Sequence, residues 1–213
     1  MCSSDLRRAL REIVRANLGQ DHLLRGQIGH PEYHFDSNAF VQSWDYVGRQ
    51  RGLIRPALEA GKARPAWRAF GRLVHALQDF YAHSNYVRLW LSRYPDGARP
   101  PAEAIEPVEA GILENPELRS GIVYMPLELF AWVPGLAALV LPLLPRDAHA
   151  RLNLDSPRRG WEFAYVFSAA LQSTRLELRR VERDLSPDLL ALFRDRSSGG
   201  EVRNDDRLSL PEV

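Results

Sequence analysis

Cysteine is almost absent from this chain of 213 residues, because Cys2 is the single example. One cysteine excludes both an internal disulfide and a zinc site built from several thiolates. A metal site in this protein must therefore use nitrogen and oxygen ligands, for which the sequence supplies six histidines.

An excess of either charge is missing as well. Lysine and arginine together number 28, against 27 aspartates and glutamates, which leaves a net charge of +1. No overall field therefore attracts nucleic acid or anionic lipid. The sequence also lacks a basic run interleaved with aromatic residues, the pattern that a single-stranded nucleic acid would favour.

Strand signals are absent, since no alternation of apolar and polar residues with a period of two is sustained. Apolar residues recur instead at helical spacing, most clearly over residues 66–94, a stretch that no proline interrupts. Start and stop residues predict further helices, namely one ended by Gly19, one capped by Asp36, one between Pro56 and Pro65, one from Ser156 to about Leu185, and one from Ser186. The sequence predicts an all-α, single-domain helical bundle over residues 1–196, followed by a polar tail over 197–213.

Targeting and membrane signals are weak. The first eight residues lack the apolar core of a secretory signal, so the chain as written is expected in the cytoplasm, or secreted if its true N-terminus is missing. Residues 121–145 are the most apolar part, but three prolines and Glu128 interrupt them, which argues against a lipid-spanning helix. This stretch is either buried core or an exposed apolar lip that contacts a lipid surface.

The most informative residues are His75, Asp79 and His83, which stand four residues apart. On a helix these positions form one stripe, with the side chains stacked a turn apart. Burying three such titratable groups without partners is costly, and zinc would relieve that cost by binding imidazole nitrogen and carboxylate oxygen. The alternative is a solvated polar stripe, although such stripes are usually made of Lys, Glu and Arg.

Two other segments add possible ligands. Histidines and acids gather between residues 20 and 36, among them Asp21 and His34. Further along, His149 is followed by Asn153 and Asp155, either of which could supply an oxygen. Asp36, Ser84 and Asn85 are expected either to orient the imidazoles or to act as ordinary cap and surface residues.

Three segments, residues 34–36, 73–85 and 152–157, together resemble the Het-C-like proteins. More distantly they resemble the zinc-dependent phospholipases C and the fungal single-strand nucleases. The resemblance spans roughly residues 10–180. It implies one zinc on Asp21, His34, His75 and Asp79, and a second on His83 and His149 with Asn153 or Asp155. A third zinc would need a ligand near the N-terminus, where no histidine precedes His22.

The same resemblance implies a function. It is that of a zinc-dependent phosphodiester hydrolase, phospholipase C-like, which attacks a phospholipid head group through a metal-bound hydroxide. Asp21 is the residue expected to orient or deprotonate the water. Two alternatives stay open: a catalytically degenerate Het-C-like interaction protein with a structural metal, and a nuclease for single-stranded nucleic acid. The apolar segment favours a phospholipid or membrane surface as the partner over nucleic acid.

Overall fold

The computed structural model describes residues 5–22, 26, 29–131, 133 and 135–195. Within these ranges the secondary structure is helical, and two isolated bridges, between Ser84 and Ser120 and between Ile122 and Ala148, are the only β-type pairing. The predicted all-α, single-domain bundle is confirmed. The proposed boundary at residues 196 and 197 lies outside the described residues and stays a prediction.

The described part of the chain forms eleven α-helices, several of them a single turn long. In chain order they are α1 (Asp5–Leu18), α2 (Pro31–His34), α3 (Phe40–Glu59), α4 (Ala63–His83), α5 (Tyr86–Leu91), α6 (Ala110–Leu113), α7 (Leu127–Ala131), α8 (Ala137–Val140), α9 (His149–Leu152), α10 (Phe163–Asp184) and α11 (Pro187–Phe193). Short 3-10 turns at Gly19–Asp21, Ala102–Ala104, Leu141–Leu143 and Pro157–Arg159 join them.

Helix α4 is the centre of the bundle, with α1, α3 and α10 packed around it. Its aromatic and aliphatic side chains are almost entirely buried, so the hydrophobic effect fixes its position. Gly71 lets α1 approach closely, because a Cβ at this position would lie 2.3 Å from the carbonyl oxygen of Ile13. The Trp67 Nε1–H group donates to the Phe193 carbonyl at 2.6 Å, which ties α11 to the start of α4.

The predicted continuous helix over residues 66–94 is wrong in the middle. Helix α4 ends at His83, and Ser84 has an extended backbone with φ −107° and ψ 169°. Contacts with a distant loop replace the next helical turn: the Gly121 N–H donates to the His83 carbonyl at 2.9 Å, and the Asn85 N–H donates to the Arg119 carbonyl at 2.9 Å. Tertiary hydrogen bonds therefore override the local helical pattern.

The predicted cap at Asp36 is also wrong, because α3 begins at Phe40 with Ala39 before it. Phe35, Ser37 and Asn38 adopt positive φ angles of 54–58°, so the chain turns sharply instead of entering a helix. The Asn38 side chain accepts from the Ser120 N–H at 2.7 Å and locks this turn against the loop after α6. The turn leaves Asp36 buried.

Two other predicted boundaries are shifted. Helix α3 continues through Pro56 to Glu59, so no separate helix lies between Pro56 and Pro65. Pro56 has no N–H to donate to the carbonyl four residues before it, so the helix continues with one hydrogen bond fewer. Ser156 caps only a 3-10 turn, and Gly160, with φ of 121°, separates that turn from α10. The first helix, which was expected to end at Gly19, and the last one, from Ser186, form as predicted.

Residues 121–145 fold into short pieces, α7, α8 and a 3-10 turn, rather than one helix. Several large side chains are exposed here, including Leu139 at 70% and Leu143 at 71%. Leu144 is buried beside Ala148 and Ala150 in a small separate cluster. The segment is thus neither wholly core nor wholly surface. No helix among the described residues is long and apolar enough to cross a bilayer.

Candidate metal centre

The first cluster of ligands consists of Asp21, His34, His75 and Asp79, and each can place one ligand atom within 4.8 Å of the others. Helix α4 presents His75 and Asp79 a turn apart, with His75 Nε2 lying 3.1 Å from Asp79 Oδ2. The single turn of α2 brings in His34, whose Nδ1 is 2.8 Å from Asp79 Oδ2. Asp21 enters from the turn after α1, with its Oδ1 3.6 Å from His75 Nε2.

The second cluster consists of Asp36, His83 and His149, and it meets the same 4.8 Å criterion. His83 is the last residue of α4 and its Nδ1 lies 3.1 Å from Asp36 Oδ1. His149 is the first residue of α9, and its Nε2 lies 3.4 Å from His83 Nε2. The two clusters adjoin, because His83 Nδ1 is also 3.1 Å from the carbonyl oxygen of His34.

An unpaired atom in the second cluster fits a cation. Asp36 Oδ1 is buried without a hydrogen bond of acceptable geometry. Imidazole nitrogens also face each other, at 3.4 Å in the second cluster and, between His75 and His34, at 3.2 Å in the first. Buried polar atoms without partners are costly and rare. A set of histidine and aspartate ligands is the donor set that zinc accepts.

The charges of the first cluster are strongly coupled. Burial by itself raises the pKa of Asp79, but the positive field of His75 and His83 and hydrogen bonds from the imidazoles outweigh it, so that pKa lies below its usual value. Burial lowers the pKa of His75, but the carboxylates of Asp79 and Asp21 raise that pKa by more, so the net shift is upward. Burial raises the pKa of Asp21. Asp79 is therefore an ionised ligand at neutral pH.

The second cluster shows the same coupling at a more buried place. Burial lowers the pKa of His83, but Asp36, Asp79 and Asp155 raise it, and the result is a pKa well above the ordinary value. Burial raises the pKa of Asp155, while the neighbouring His83 lowers it, and the net shift is downward. In the absence of a cation, a proton on His83 would balance these carboxylates. A metal ion would replace that proton.

Glu128 lies against the second cluster, and the sequence interpretation missed this contact. Its side chain is completely buried at the start of α7. Its two oxygens accept from the Tyr124 N–H at 2.8 Å and from the Ala150 N–H, and Oε1 lies 3.3 Å from His149 Nδ1. It therefore holds both the backbone of α9 and the imidazole of His149. The available signal was the single charge within the most apolar stretch, which was interpreted only as an interruption.

Other predicted ligands lie close to the second cluster. Asp155 Oδ1 is 3.2 Å from His83 Nε2, at the exposed edge of that cluster. Asn153 is buried and its Oδ1 has no hydrogen-bond partner. The intervening Leu154 N–H donates to the Ala82 carbonyl at 2.9 Å, which holds this segment against α4. Asp155 thus borders the second cluster, and the choice between Asn153 and Asp155 as the oxygen donor stays a prediction.

Of the three residues expected to orient the imidazoles, one lies in a ligand cluster and two bond to the backbone instead. Asp36 lies in the second cluster itself. Ser84 Oγ donates instead to the Phe80 carbonyl at 2.5 Å, and Asn85 accepts from the Arg119 N–H at 2.8 Å. These two side chains therefore stabilise the end of α4 and the loop beside it.

A family model matches residues 1–106, a range that includes the whole first cluster and, in the second, Asp36 and His83. That family is the VWA7 N-terminal domain. The von Willebrand factor A domain-containing protein 7 of Rattus norvegicus and that of Mus musculus are each 42% identical over 92 residues, and that of Homo sapiens is 40% identical. The alignment covers 41% of this chain and 10% of each relative, so it spans about a tenth of their length. No solved structure matches the chain.

The likeness to VWA7 corrects the expected family and function. The assignment to the Het-C-like proteins and to the zinc-dependent phospholipases C is wrong, because the matching model and relatives are those of VWA7. The phosphodiester hydrolase function rested on that assignment and falls with it, as does its nuclease variant. The role of Asp21 in activating water stays a prediction. A short pattern of ligands on a helix reports the chemistry it can support, and it does not by itself identify a family.

Proposed function

We propose that this chain is a metal-binding helical module that holds two divalent cations, with zinc the best fit, beside the C-terminal half of α4. The observation that carries the proposal is the convergence of His83, His149 and Asp36 in a buried place where Asp36 Oδ1 has no hydrogen-bond partner. The likeness of residues 1–106 to the VWA7 N-terminal domain supports the view that the module is a VWA7-type domain.

The first ion would be held by the first cluster and the second ion by the second, with Asp155 at its edge. Both ions would join α4 to segments that are distant in sequence, namely the turn after α1, the turn around α2 and the start of α9. Metal binding would neutralise the buried carboxylates and free the imidazoles of protons, so part of the binding free energy would stabilise the fold. An enzymatic use of the centre stays a prediction.

The test is the zinc content per chain, measured by inductively coupled plasma mass spectrometry on protein purified without added metal or chelator. We expect about two zinc ions for the native chain and about one for His83→Ala, since that change removes a ligand of the second cluster alone. His22→Ala is the matched control, because His22 is exposed and belongs to neither cluster. A native chain without zinc, or equal zinc in His83→Ala and the native chain, would contradict the proposal.

A second candidate function is contact with a lipid surface, and the exposed part of residues 121–145 supports it. The apolar surface consists of Met125, Leu127, Phe130, Val133, Leu136, Leu139 and Leu143, all of which are exposed. The one charged side chain within this segment, Glu128, is buried. The exposed Arg146 follows the segment directly and the exposed Arg151 lies five residues later, with the exposed Asp147 between them. An apolar face beside basic groups fits a bilayer that contains anionic lipid.

Sedimentation with vesicles tests this second candidate. We expect the chain to pellet with vesicles that contain phosphatidylserine and less with pure phosphatidylcholine, and Leu139→Glu with Leu143→Glu to abolish binding. Leu53→Glu is the control, because Leu53 is an equally apolar, exposed residue on α3. Failure of the native chain to pellet, or an equal loss with Leu53→Glu, would reject a membrane role.

A further inference from the structure

A cavity of about 440 Å³ opens beside the first cluster, between the end of α1, α3 and α4. Three arginines, two tyrosines and two glutamines line it, and its lining contains no carboxylate. We propose that this cavity binds the oxyanion of a small molecule, a phosphate or a carboxylate group. The proposal concerns a site separate from the metal ligands, and it holds whether or not a metal is bound.

The arginines of the cavity carry more positive charge than their neighbours neutralise. Arg68 Nε lies 3.0 Å from Glu12 Oε2, and Arg15 reaches the other oxygen of the same carboxylate at 3.4 Å. Arg72 is exposed and, among the described residues, its guanidinium has neither an ion pair nor a hydrogen bond. One carboxylate thus serves two of the three guanidinium groups, and the third is available. Arginine is the side chain best suited to phosphate and carboxylate, because it can donate two parallel hydrogen bonds.

One polar atom in the cavity lining also lacks a hydrogen-bond partner. Gln50 is buried, and its Oε1 has no hydrogen-bond donor in the described structure. A ligand hydroxyl, such as that of hydrogen phosphate, would supply the donor. The neighbouring Tyr46 hydroxyl donates to Gln20 Oε1 at 2.6 Å, and burial raises the pKa of Tyr46 to about 12, so this phenol stays neutral. This phenol therefore adds no negative charge to the cavity wall at neutral pH.

The cavity is joined to the first cluster through the backbone. Gln20 immediately precedes Asp21, Tyr33 immediately precedes His34, and Arg72 stands three residues before His75 on α4. The Gln20 side chain donates to the Arg72 carbonyl at 3.4 Å, which connects the two walls. An anion bound here would lie next to the metal centre without being a metal ligand. The test must therefore distinguish an anion bound in the cavity from an anion bound to a metal ion.

Isothermal titration calorimetry of the full chain at constant ionic strength, with inorganic phosphate and separately with succinate, tests the proposal. We expect saturable binding of at least one of them, weakened about tenfold in Arg72→Gln. Zinc content and circular dichroism should be unchanged, because Arg72 is exposed and belongs to neither metal cluster. Arg179→Gln is the matched control, since Arg179 is exposed on α10 and outside the cavity lining.

A parallel titration of His75→Ala separates this site from the metal centre. Binding that persists in His75→Ala and weakens in Arg72→Gln supports the cavity, and the probe that binds identifies the anion class. Binding that disappears in His75→Ala and survives in Arg72→Gln would show that the anion is a metal ligand and overturn the proposal. The absence of saturable binding of either probe, or an equal loss in Arg179→Gln, would overturn it too.

Discussion

The two ligand clusters share one helix but differ in how they are closed. In the first cluster the Asp21 side chain is 54% exposed, whereas Asp36, His83 and His149 in the second are all at most 5% exposed. An accessible ligand permits exchange with solvent, and a closed shell is typical of a structural metal. One helical stripe thus serves two sites of different accessibility: Asp21 opens the first cluster to solvent, whereas the second is open only where Asp155 borders it.

The clusters differ also in how far apart their ligands lie in the sequence. All of the first cluster lies within residues 1–106, the part that matches the VWA7 N-terminal domain. The second cluster takes His149 from outside that range and depends on Glu128, which holds His149. The second cluster is therefore more dependent on correct packing of the C-terminal half. Four experiments test this contrast between the two clusters.

The largest effect is expected from Glu128→Ala. This change leaves the N–H groups of Tyr124 and Ala150 without their buried acceptor and removes the carboxylate beside the His149 ring, which costs roughly 3 kcal/mol or more of unfolding free energy. Urea denaturation measures it, and the second zinc should be lost while the first remains. Glu114→Ala is the control, because Glu114 is exposed. A loss of unfolding free energy no greater than that of the control would show that Glu128 does not stabilise the second cluster.

Chelator release should separate the two ions by rate. We expect the ion of the first cluster to leave first, since Asp21 is open to solvent, and Asp21→Asn to weaken that ion at least tenfold without affecting the other. Release is followed with a metallochromic chelator. Asp45→Asn, an exposed aspartate on α3, provides the comparison. A single release phase in the native protein would contradict the proposed difference in accessibility.

The pH dependence should run in opposite directions with and without metal. The pKa of His83 is raised well above 6.5 in the folded chain, so its protonation stabilises the metal-free protein below that value, and this contribution is lost as pH rises through the folded-state pKa. Metal must displace the same proton, so zinc affinity should rise with pH. Chelator competition and urea denaturation at about pH 6 and pH 8 test both slopes.

The steeper pH dependence is expected for the ion of the second cluster, because His83 is its ligand and Asp36, Asp79 and Asp155 all raise the pKa of His83. The variant His83→Ala should lose the decline in metal-free stability. Metal-free stability and zinc affinity that change in the same direction between these pH values would contradict the assignment of the proton to His83.

The smallest effect is expected at the edge of the second cluster. Asp155→Asn should weaken the second ion by roughly tenfold or less, since this carboxylate is half exposed and solvent screens its charge. Asn153→Ala should change that affinity less. Both are measured by chelator competition. A larger loss in Asn153→Ala would make Asn153 the oxygen donor, the alternative that the sequence left open.

Several features of the site could be predicted because they are local. The spacing of His75, Asp79 and His83 specifies one face of a helix, and the structure places all three on α4 with Asp21 and His34 beside them. Family membership could not be inferred from the same residues, because the ligand pattern is short. The assignment to the phospholipases took a similar set of ligands as evidence of common ancestry, and the match to the VWA7 N-terminal domain contradicts that assignment.

Periodicity and caps within a few residues predict the helical class, the first and last helices, and the ligand stripe. The end of α4 depends instead on a tertiary contact, because the His83 carbonyl accepts from the distant Gly121 N–H. Tertiary packing also places Asp36 and Glu128 in the interior and Leu139 on the surface. Local propensity cannot set these outcomes, because each depends on contacts between residues far apart in the chain.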